Sequence, residues 1–249
     1  HKMISNQKHN DSISFEYIKR ALFAVADEKK KEFLPYFFKT GEGQYGAGDQ
    51  FIGVVVPKQR AIVKKYHSLP LNEIELFMED VYHECRMTGL LFLVEMYTKS
   101  KDEREKEEFF DFYIKHRNRI NNWDLVDLSA PKIVGAHLWK RNREILYQFA
   151  LEKHLWTQRI AIISTYFFIK NNDYSTTFDL AKLLLTHPHD LIQKAVGWML
   201  REIGKRNFEV EIEFLSTEQR YQQMPRTMLR YAIERFPENL RQQFLKNEI

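Results

Sequence analysis

Residues 191–205 read LIQKAVGWMLREIGK, and this stretch decides the fold class. Its apolar side chains recur every three or four residues, which is the period of one face of an α-helix. That face consists of Ile192, Ala195, Val196, Met199 and Ile203. The stretch therefore predicts an amphipathic helix that packs one side against a core.

The same period continues along most of the chain. The 249 residues include only nine glycines and seven prolines, so few residues interrupt a helix. Helices are predicted near residues 14–38, 58–67, 71–78, 81–99, 103–116, 123–128, 131–139, 143–151, 157–170, 175–185, 190–205, 209–215, 224–235 and 238–246. The sequence therefore predicts an all-α protein.

The spacing of the predicted helices indicates how they are arranged. The links are short, and pairs of helices recur every 35–45 residues or so, which is typical of HEAT repeats. We therefore expect one HEAT-like solenoid (an α-α superhelix with a concave face) over residues 13–249. An irregular helical bundle is the alternative, because no strict sequence repeat is present. Residues 1–12 are interpreted as a tag remnant and N-terminal tail.

Composition limits the class of protein and its partners. The single cysteine, Cys85, excludes an internal disulfide and a cysteine-based zinc site, and it favours a reducing compartment. No apolar run approaches the ~20 residues that a membrane span needs. We therefore expect a cytoplasmic protein that has no membrane partner.

Charge is distributed unevenly. The formal net charge is +4, while acidic residues concentrate in residues 72–84 and 101–108. In the second half of the chain, Lys and Arg repeatedly stand beside aromatic residues. Such a layout raises the expectation of contact with a nucleic acid.

The polar face of the 191–205 helix carries the clearest sign of nucleic-acid binding. Lys194, Trp198, Arg201 and Lys205 follow one another at helical spacing. Cations around an aromatic platform are typical of sites that bind phosphates and stack on bases. The alternative is a partly buried Trp198 with the cations packed over its ring.

Residues 121–130 read NNWDLVDLSA and place a carboxylate on an apolar, aromatic stripe. Trp123 and Asp127 are four residues apart, so on a helix they lie on one face. Burying an unpartnered carboxylate costs several kcal/mol. Asp127 is therefore expected to have a partner, a catalytic role or a capping role, since Ser129 and Pro131 follow it.

Arg159 falls between Trp156 and Tyr166 on the packed side of a predicted helix. A guanidinium in that position should stack on aromatic rings or pair with an acid. Asp127 is one possible partner, and a local acid such as Glu152 is the other.

Other motifs carry weaker signals. His187 and His189 have the spacing of metal ligands, but no third ligand accompanies them. His83 and Glu84 are interpreted as a solvated or capping pair. The glycines of residues 41–53 do not match a phosphate-binding loop, and no predicted strand precedes them.

Five motifs, taken in order, resemble the DNA alkylation repair family of AlkD-type DNA glycosylases. They cover roughly residues 44–205. They are GDQFIGV at 48–54 followed by Pro57 and Arg60, HECR at 83–86, NNWDLVD at 121–127, the helix of Trp156 and Arg159, and KAVGWMLRE at 194–202.

The resemblance implies a HEAT-like solenoid whose concave face holds duplex DNA. It also implies hydrolysis of the N-glycosidic bond of cationic alkylpurines, N3-methyladenine and N7-methylguanine, without a base-flipping pocket. In this family pattern Asp127 is the catalytic carboxylate, and Trp123 and Trp198 flank the deoxyribose of the lesion. Arg159 contacts the DNA backbone, and Tyr45 corresponds to a lesion-side tyrosine.

We accordingly expect a monomeric, monofunctional enzyme that needs no cofactor or metal and is nucleoid-associated when bound to DNA. The phosphate contacts are expected from Lys194, Arg201 and Lys205. The alternative is a non-enzymatic helical-repeat protein that binds nucleic acid or protein. Asp127 and the two tryptophans, Trp123 and Trp198, separate the two hypotheses, because a protein that only binds needs the basic stripe but not a carboxylate facing DNA, which should weaken phosphate binding.

Overall fold

The computed structural model describes residues 13–249, which form α-helices joined by short links. Within this range the only strand-like pairing is an isolated parallel bridge between Gln50 and Tyr82. The all-α fold class is therefore confirmed. The tag and tail expected at residues 1–12 lie outside the described residues.

The chain forms two compact units, one that ends at Ser129 and one over Ala130–Ile249. The first contains α1 (Phe15–Ala24), α2 (Glu28–Phe37), α3 (Val56–Tyr66), α4 (Leu71–Met78), α5 (His83–Lys99), α6 (Glu103–Lys115), a 3-10 turn (Arg117–Arg119) and α7 (Trp123–Asp127). The second contains a π-helical turn (Pro131–Gly135), α8 (Ala136–Leu138), α9 (Glu144–Leu151), α10 (Leu155–Ser164), α11 (Tyr166–Lys170), α12 (Ser175–Leu183), α13 (Asp190–Arg206), α14 (Phe208–Ser216), a 3-10 segment (Thr217–Gln223), α15 (Arg226–Ala232) and α16 (Glu238–Leu245).

Two helices that were expected to be continuous are broken. The segment predicted at residues 14–38 divides at Asp27, whose carboxylate accepts hydrogen bonds from the backbone N–H groups of Lys29 and Lys30 and so begins α2. The segment predicted at residues 157–170 divides at Thr165, whose hydroxyl donates to the carbonyl of Ile162 at 2.6 Å. In both cases a local side-chain hydrogen bond competes with the helix.

Helix α5 is the centre of the first unit. It packs against α3, α4 and α6, and its residues from His83 to Leu93 are buried all around the helix. A helix that is covered on every side has polar groups that must find partners within the protein. The first turn of α5 therefore carries buried side chains with specific hydrogen bonds.

Helix α13 is the centre of the second unit, where it packs against α10, α12, α14 and α15. Its buried residues include every member of the predicted apolar face, Ile192, Ala195, Val196, Met199 and Ile203. That prediction is confirmed. The opposite face of α13 carries the cationic residues and Trp198.

Candidate active site

The short helix α7 carries Trp123 at its first position and Asp127 at its last. The side chain of Asn122 begins the helix by accepting a hydrogen bond from the backbone N–H of Trp123 at 2.8 Å. Leu125 and Val126 are fully buried. A helix of five residues is not stable alone, so packing determines where it lies.

Trp123 is half-buried and packs against the end of α2. Its ring stacks on Phe38, with 5.5 Å between ring centroids, and meets the ring of Phe37 at 5.9 Å. The part of the indole that remains exposed is therefore held in a fixed orientation.

Asp127 is also half-buried. It does not occupy the N-cap position of the following helical segment, which is Ala130. The capping interpretation of Asp127 is therefore wrong. Burial raises the pKa of the Tyr113 hydroxyl, a hydrogen bond with Ser129 lowers it, and the nearby negative charge of Asp127 raises it further. The carboxylate of Asp127 thus lies close to a protein interior in which charge is poorly screened.

A buried ionic cluster joins α7 to the rest of the first unit. His83, the first residue of α5, contacts two carboxylates, with Nδ1 at 2.7 Å from Asp49 and Nε2 at 2.8 Å from Asp124. Arg86 donates to the other oxygen of Asp49 at 2.9 Å and to the side-chain oxygen of Asn121 at 3.1 Å. Helix α7, through Asp124, and Asn121 just before it are therefore tied to α5 by the charged side chains of His83 and Arg86.

The charges in this cluster stabilise one another. Burial alone would lower the pKa of His83, but Asp124 and Asp49 raise it to about 9. Burial alone would raise the pKa of Asp49, but the hydrogen bond from His83 and the charge of Arg86 keep it below its usual value. His83 is therefore protonated, and Asp49 is ionised, at neutral pH.

Glu84, the second residue of α5, orders the segment that precedes α3. Its carboxylate accepts hydrogen bonds from the backbone N–H groups of Ile52, Gly53 and Val54 at 2.7–3.1 Å. His83 and Glu84 are 2% and 1% exposed, so the interpretation of this pair as solvated is wrong. Sequence reasoning missed the pairing because Asp49 and Asp124 lie 34 and 41 residues away from His83.

Tyr45 lies in the turn-rich segment between α2 and α3 and is half-buried. This segment returns to the end of α2, where the N–H of Gly46 donates to the carbonyl of Lys39 at 2.9 Å. Tyr45 and Trp123 thus both belong to segments that contact the end of α2. The lesion-side role of Tyr45 stays a prediction.

In the second unit, Trp198 lies on α13 among charged side chains. Its ring is half-buried and 5.9 Å from the ring of Tyr166, and its Nε1–H donates to Glu202 at 3.1 Å. Lys205 also pairs with Glu202, at 3.0 Å, and Lys194 pairs with Asp190 at 3.4 Å. The cationic face of α13 therefore also carries the acidic residues Asp190 and Glu202, which the sequence-based prediction did not include.

Arg201 differs from the two lysines. Its guanidinium lies over the ring of Tyr231, which belongs to α15. It also pairs with Glu234, which follows α15. Its side chain is 17% exposed, against 38% for Lys194 and 40% for Lys205. Lys194 and Lys205 are consequently the more accessible cations, while Arg201 contributes to the packing of α13 on α15.

Arg159, on α10, is buried and 5% exposed. Its Nη1 donates to the carbonyl of Leu191 at 2.6 Å, which links α10 to the first turn of α13. This hydrogen bond holds the guanidinium of Arg159 in the interior of the second unit. Its predicted DNA contact stays a prediction.

The two histidines at metal-like spacing have structural partners. His189 caps α13 by accepting a hydrogen bond from the N–H of Leu191 at 3.1 Å. His187 Nε2 lies 2.8 Å from the side-chain oxygen of Gln158. Among residues 13–249, no group of three or more His, Cys, Asp or Glu side chains could hold a metal ion. In the same range, no helix combines the length and apolar character that crossing a membrane requires.

Comparisons with known proteins agree with the helical architecture. The family model described as DNA alkylation repair enzyme matches residues 18–236. A solved structure titled "Predicted DNA alkylation repair enzyme from Enterococcus faecalis" is similar with a TM-score of 0.66 and 16% sequence identity, over 86% of this chain and 97% of that chain. At that identity the structural similarity shows a shared fold. No curated protein matches the chain.

Proposed function

The chain belongs to the DNA alkylation repair enzyme family, and from that premise we propose that it is a monofunctional DNA glycosylase. Its substrates in this proposal are cationic alkylpurines, N3-methyladenine and N7-methylguanine, in duplex DNA. The reaction is hydrolysis of the N-glycosidic bond without a base-flipping pocket. The supporting observation is the half-buried Asp127 one helical turn after the half-buried Trp123.

The chemistry of these lesions explains why a single carboxylate can suffice. A purine alkylated at N3 or N7 already carries a positive charge, so it leaves without protonation by a general acid. The bond breaks toward a sugar with oxocarbenium character. A carboxylate near C1′ stabilises that positive charge and orients a water molecule, and one such electrostatic contact is worth about 10²–10³ in rate.

The tryptophans support the same reaction. The faces of Trp123 and Trp198 can attract the developing positive charge of the sugar, as aromatic faces attract cations. Both rings are half-buried and held by aromatic neighbours, so their orientation is set before DNA binds. Such preorganisation avoids the cost of ordering the rings in the transition state.

Duplex DNA is the proposed partner, bound by the protein as a monomer and without a cofactor. Lys194 and Lys205 are the proposed phosphate contacts because they are more exposed than Arg201, the third cation of the predicted stripe. Arg159, Arg201 and Tyr45 are proposed to contribute to the DNA-binding surface. No lysine occurs between Trp123 and Ala130, so water and not an amine is the proposed nucleophile.

The test uses a duplex oligonucleotide that contains a single N7-methylguanine. The released base is measured with wild type, Asp127→Asn and Asp173→Asn. Asp173 is a matched control because it is also half-buried, but it pairs with Arg143 in a different part of the chain. We expect release by wild type and Asp173→Asn, and at least 100-fold slower release by Asp127→Asn.

Equal release by wild type and Asp127→Asn would overturn the role of Asp127. If no variant releases the base while all bind the duplex, the non-enzymatic binding hypothesis replaces the glycosylase. Cleavage of the DNA strand by the protein at the resulting abasic site would contradict the monofunctional assignment.

A further inference from the structure

His83 lies at the point where three segments of the first unit meet. It begins α5, one of its carboxylate partners precedes α3, and the other belongs to α7. Its ring contacts two aromatic rings that stack on each other, with centroids 4.6 Å from Phe38 and 4.8 Å from Phe51. The imidazole is therefore buried against aromatic rings and has a carboxylate partner at each nitrogen.

The geometry itself requires a positively charged ring. A neutral imidazole has one N–H, whereas an ionised carboxylate only accepts hydrogen bonds. Two carboxylates at 2.7 and 2.8 Å from the two nitrogens are both satisfied only by an imidazolium. His83 is thus a two-sided donor that joins Asp49 to Asp124.

Two short paths connect this donor to the proposed catalytic residues. Asp124 lies three positions before Asp127 in α7, so fixing Asp124 orients the turn that ends at Asp127. Phe38 contacts the ring of His83 on one side and stacks on Trp123 with an angle of 30° between the planes. One side chain therefore supports both members of the Trp123–Asp127 pair.

We propose that His83 is a positioning residue whose hydrogen bonds to Asp49 and Asp124 hold α7 in the orientation that Trp123 and Asp127 need for base excision. The inference rests on the glycosylase function proposed above. His83 itself is buried and acts through its neighbours, not on the substrate.

The charged groups around His83 come from every segment packed against it. Asp49 precedes α3, Asp124 belongs to α7, and Arg86 on α5 reaches the cluster through Asp49. Burial lowers the pKa of Arg119, on the 3-10 turn, the charge of Arg86 lowers it further, and the charge of Asp49 raises it. The pKa of His83 is raised to about 9, so loss of its proton at higher pH would leave Asp49 or Asp124 without its donor.

The first experiment compares wild type, His83→Gln and His116→Gln. His116 is a matched control because it is a buried histidine of the same unit, near Glu75 and Phe112. Base release from the N7-methylguanine duplex is measured in single turnover with saturating protein, beside the Kd for the undamaged duplex. We expect about 10- to 100-fold slower release for His83→Gln, since misplacing a catalytic group by about 1 Å can cost 10²-fold. Its Kd should stay within about twofold of wild type, and His116→Gln should match wild type in both.

Two further readouts separate positioning from general stability. Amide hydrogen exchange should become faster in residues 121–128 in His83→Gln and stay unchanged there in His116→Gln. The single-turnover rate of wild type, corrected for spontaneous base loss, should fall as pH rises through about 9. His83→Gln should lack that decrease.

Asp124 supplies a second pair of variants in case His83→Gln does not fold. Asp124→Asn keeps an oxygen that accepts from His83 and should remain within about threefold of wild type. Asp124→Ala removes the acceptor and should slow release at least 10-fold, with faster exchange in residues 121–128.

The outcomes distinguish the two proposals. Active wild type with unchanged rate and exchange in His83→Gln or Asp124→Ala overturns the positioning role and leaves the glycosylase function. Inactive wild type overturns the glycosylase function and, with it, the catalytic purpose of His83. A lower melting temperature with wild-type rate and wild-type exchange at α7 would reduce His83 to a structural residue and also overturn the proposal.

Discussion

The carboxyl group of Glu211, on α14, lies directly against Gly204 on α13, in the space that a Cβ at position 204 would fill. Glu211 is 1% exposed, and its Oε2 has no hydrogen-bond partner among the described residues. Burial raises the pKa of Glu211 to about 9, while the charge of Arg201 lowers it somewhat. The carboxyl group is therefore protonated in the folded protein at neutral pH.

This burial makes stability depend on pH. The pKa of Glu211 in the folded state lies above the 4.5 expected when unfolded. The contribution of the protonated Glu211 to the free energy of unfolding is therefore fully present below about pH 4.5 and is lost as pH rises to about 9. Glu211→Gln keeps the shape without a titrating proton. We expect it to raise the free energy of unfolding at pH 9 by about 1–3 kcal/mol relative to wild type. Urea unfolding at pH 6 and pH 9 measures this, with the exposed Glu209→Gln as control, and an unchanged pH dependence in Glu211→Gln would contradict it.

The close approach at Gly204 leads to a second prediction. Gly204→Ala forces a methyl group into the carboxyl group of Glu211, and such overpacking costs about 1–3 kcal/mol. Shortening the acid in Gly204→Ala/Glu211→Ala should recover part of that loss. Thermal unfolding of the single and double variants checks this, and additive losses would show that the two side chains do not compete for the same space.

Local periodicity predicted much of the fold. Residues 71–78 form a helix with the bounds expected, and the apolar face of α13 is buried as its spacing indicated. The break at Asp27 was missed because a capping aspartate within an otherwise helical pattern also fits an exposed helix position. Helical period is thus a good guide to burial and a poorer guide to where a helix ends.

The contacts of the candidate site could not be predicted in the same way. The pairing of His83 with Asp124 joins residues 41 positions apart, which no local pattern encodes. Arg201 was expected to form one cationic stripe with Lys194 and Lys205. Its guanidinium instead donates to the carbonyl of Tyr231 on the neighbouring helix α15. Spacing places residues on one face, whereas neighbouring elements decide which part of that face stays exposed.

His83 leads to a third prediction, on stability. The pKa of His83 is raised from 6.5 to about 9 on folding, so its contribution is fully present below about pH 6.5 and is lost as pH rises through about 9. Wild type should therefore lose about 3 kcal/mol of unfolding free energy from this group over that interval. His83→Gln should be less stable than wild type at pH 6 and should lose less between pH 6 and pH 9.

Chemical unfolding of both proteins at several pH values measures this effect. The Glu211→Gln background removes the second group that titrates in the same range, so the comparison is cleanest there. If the unfolding free energies of the proteins with His83 and with His83→Gln change in parallel with pH, the pKa of His83 is not raised on folding.

The last prediction concerns the cations of α13. Lys194 and Lys205 are more exposed than Arg201, and their partners Asp190 and Glu202 lie on the same helix, where such pairs contribute little. Phosphates can therefore compete for both lysines. Lys194→Ala/Lys205→Ala should weaken binding to undamaged duplex and reduce the slope of log K against log salt concentration by about 2, close to one unit for each lost phosphate contact.

Arg201→Ala should behave differently, because Arg201 pairs with Glu234 against α15. We expect it to lower the melting temperature more than it lowers the salt slope. Lys182→Ala, which removes an exposed lysine of α12, is the control for a nonspecific effect of net charge. An unchanged salt slope in Lys194→Ala/Lys205→Ala would show that this face of α13 does not contact DNA. A fall in slope for Lys182→Ala of equal size would point to net charge as the cause.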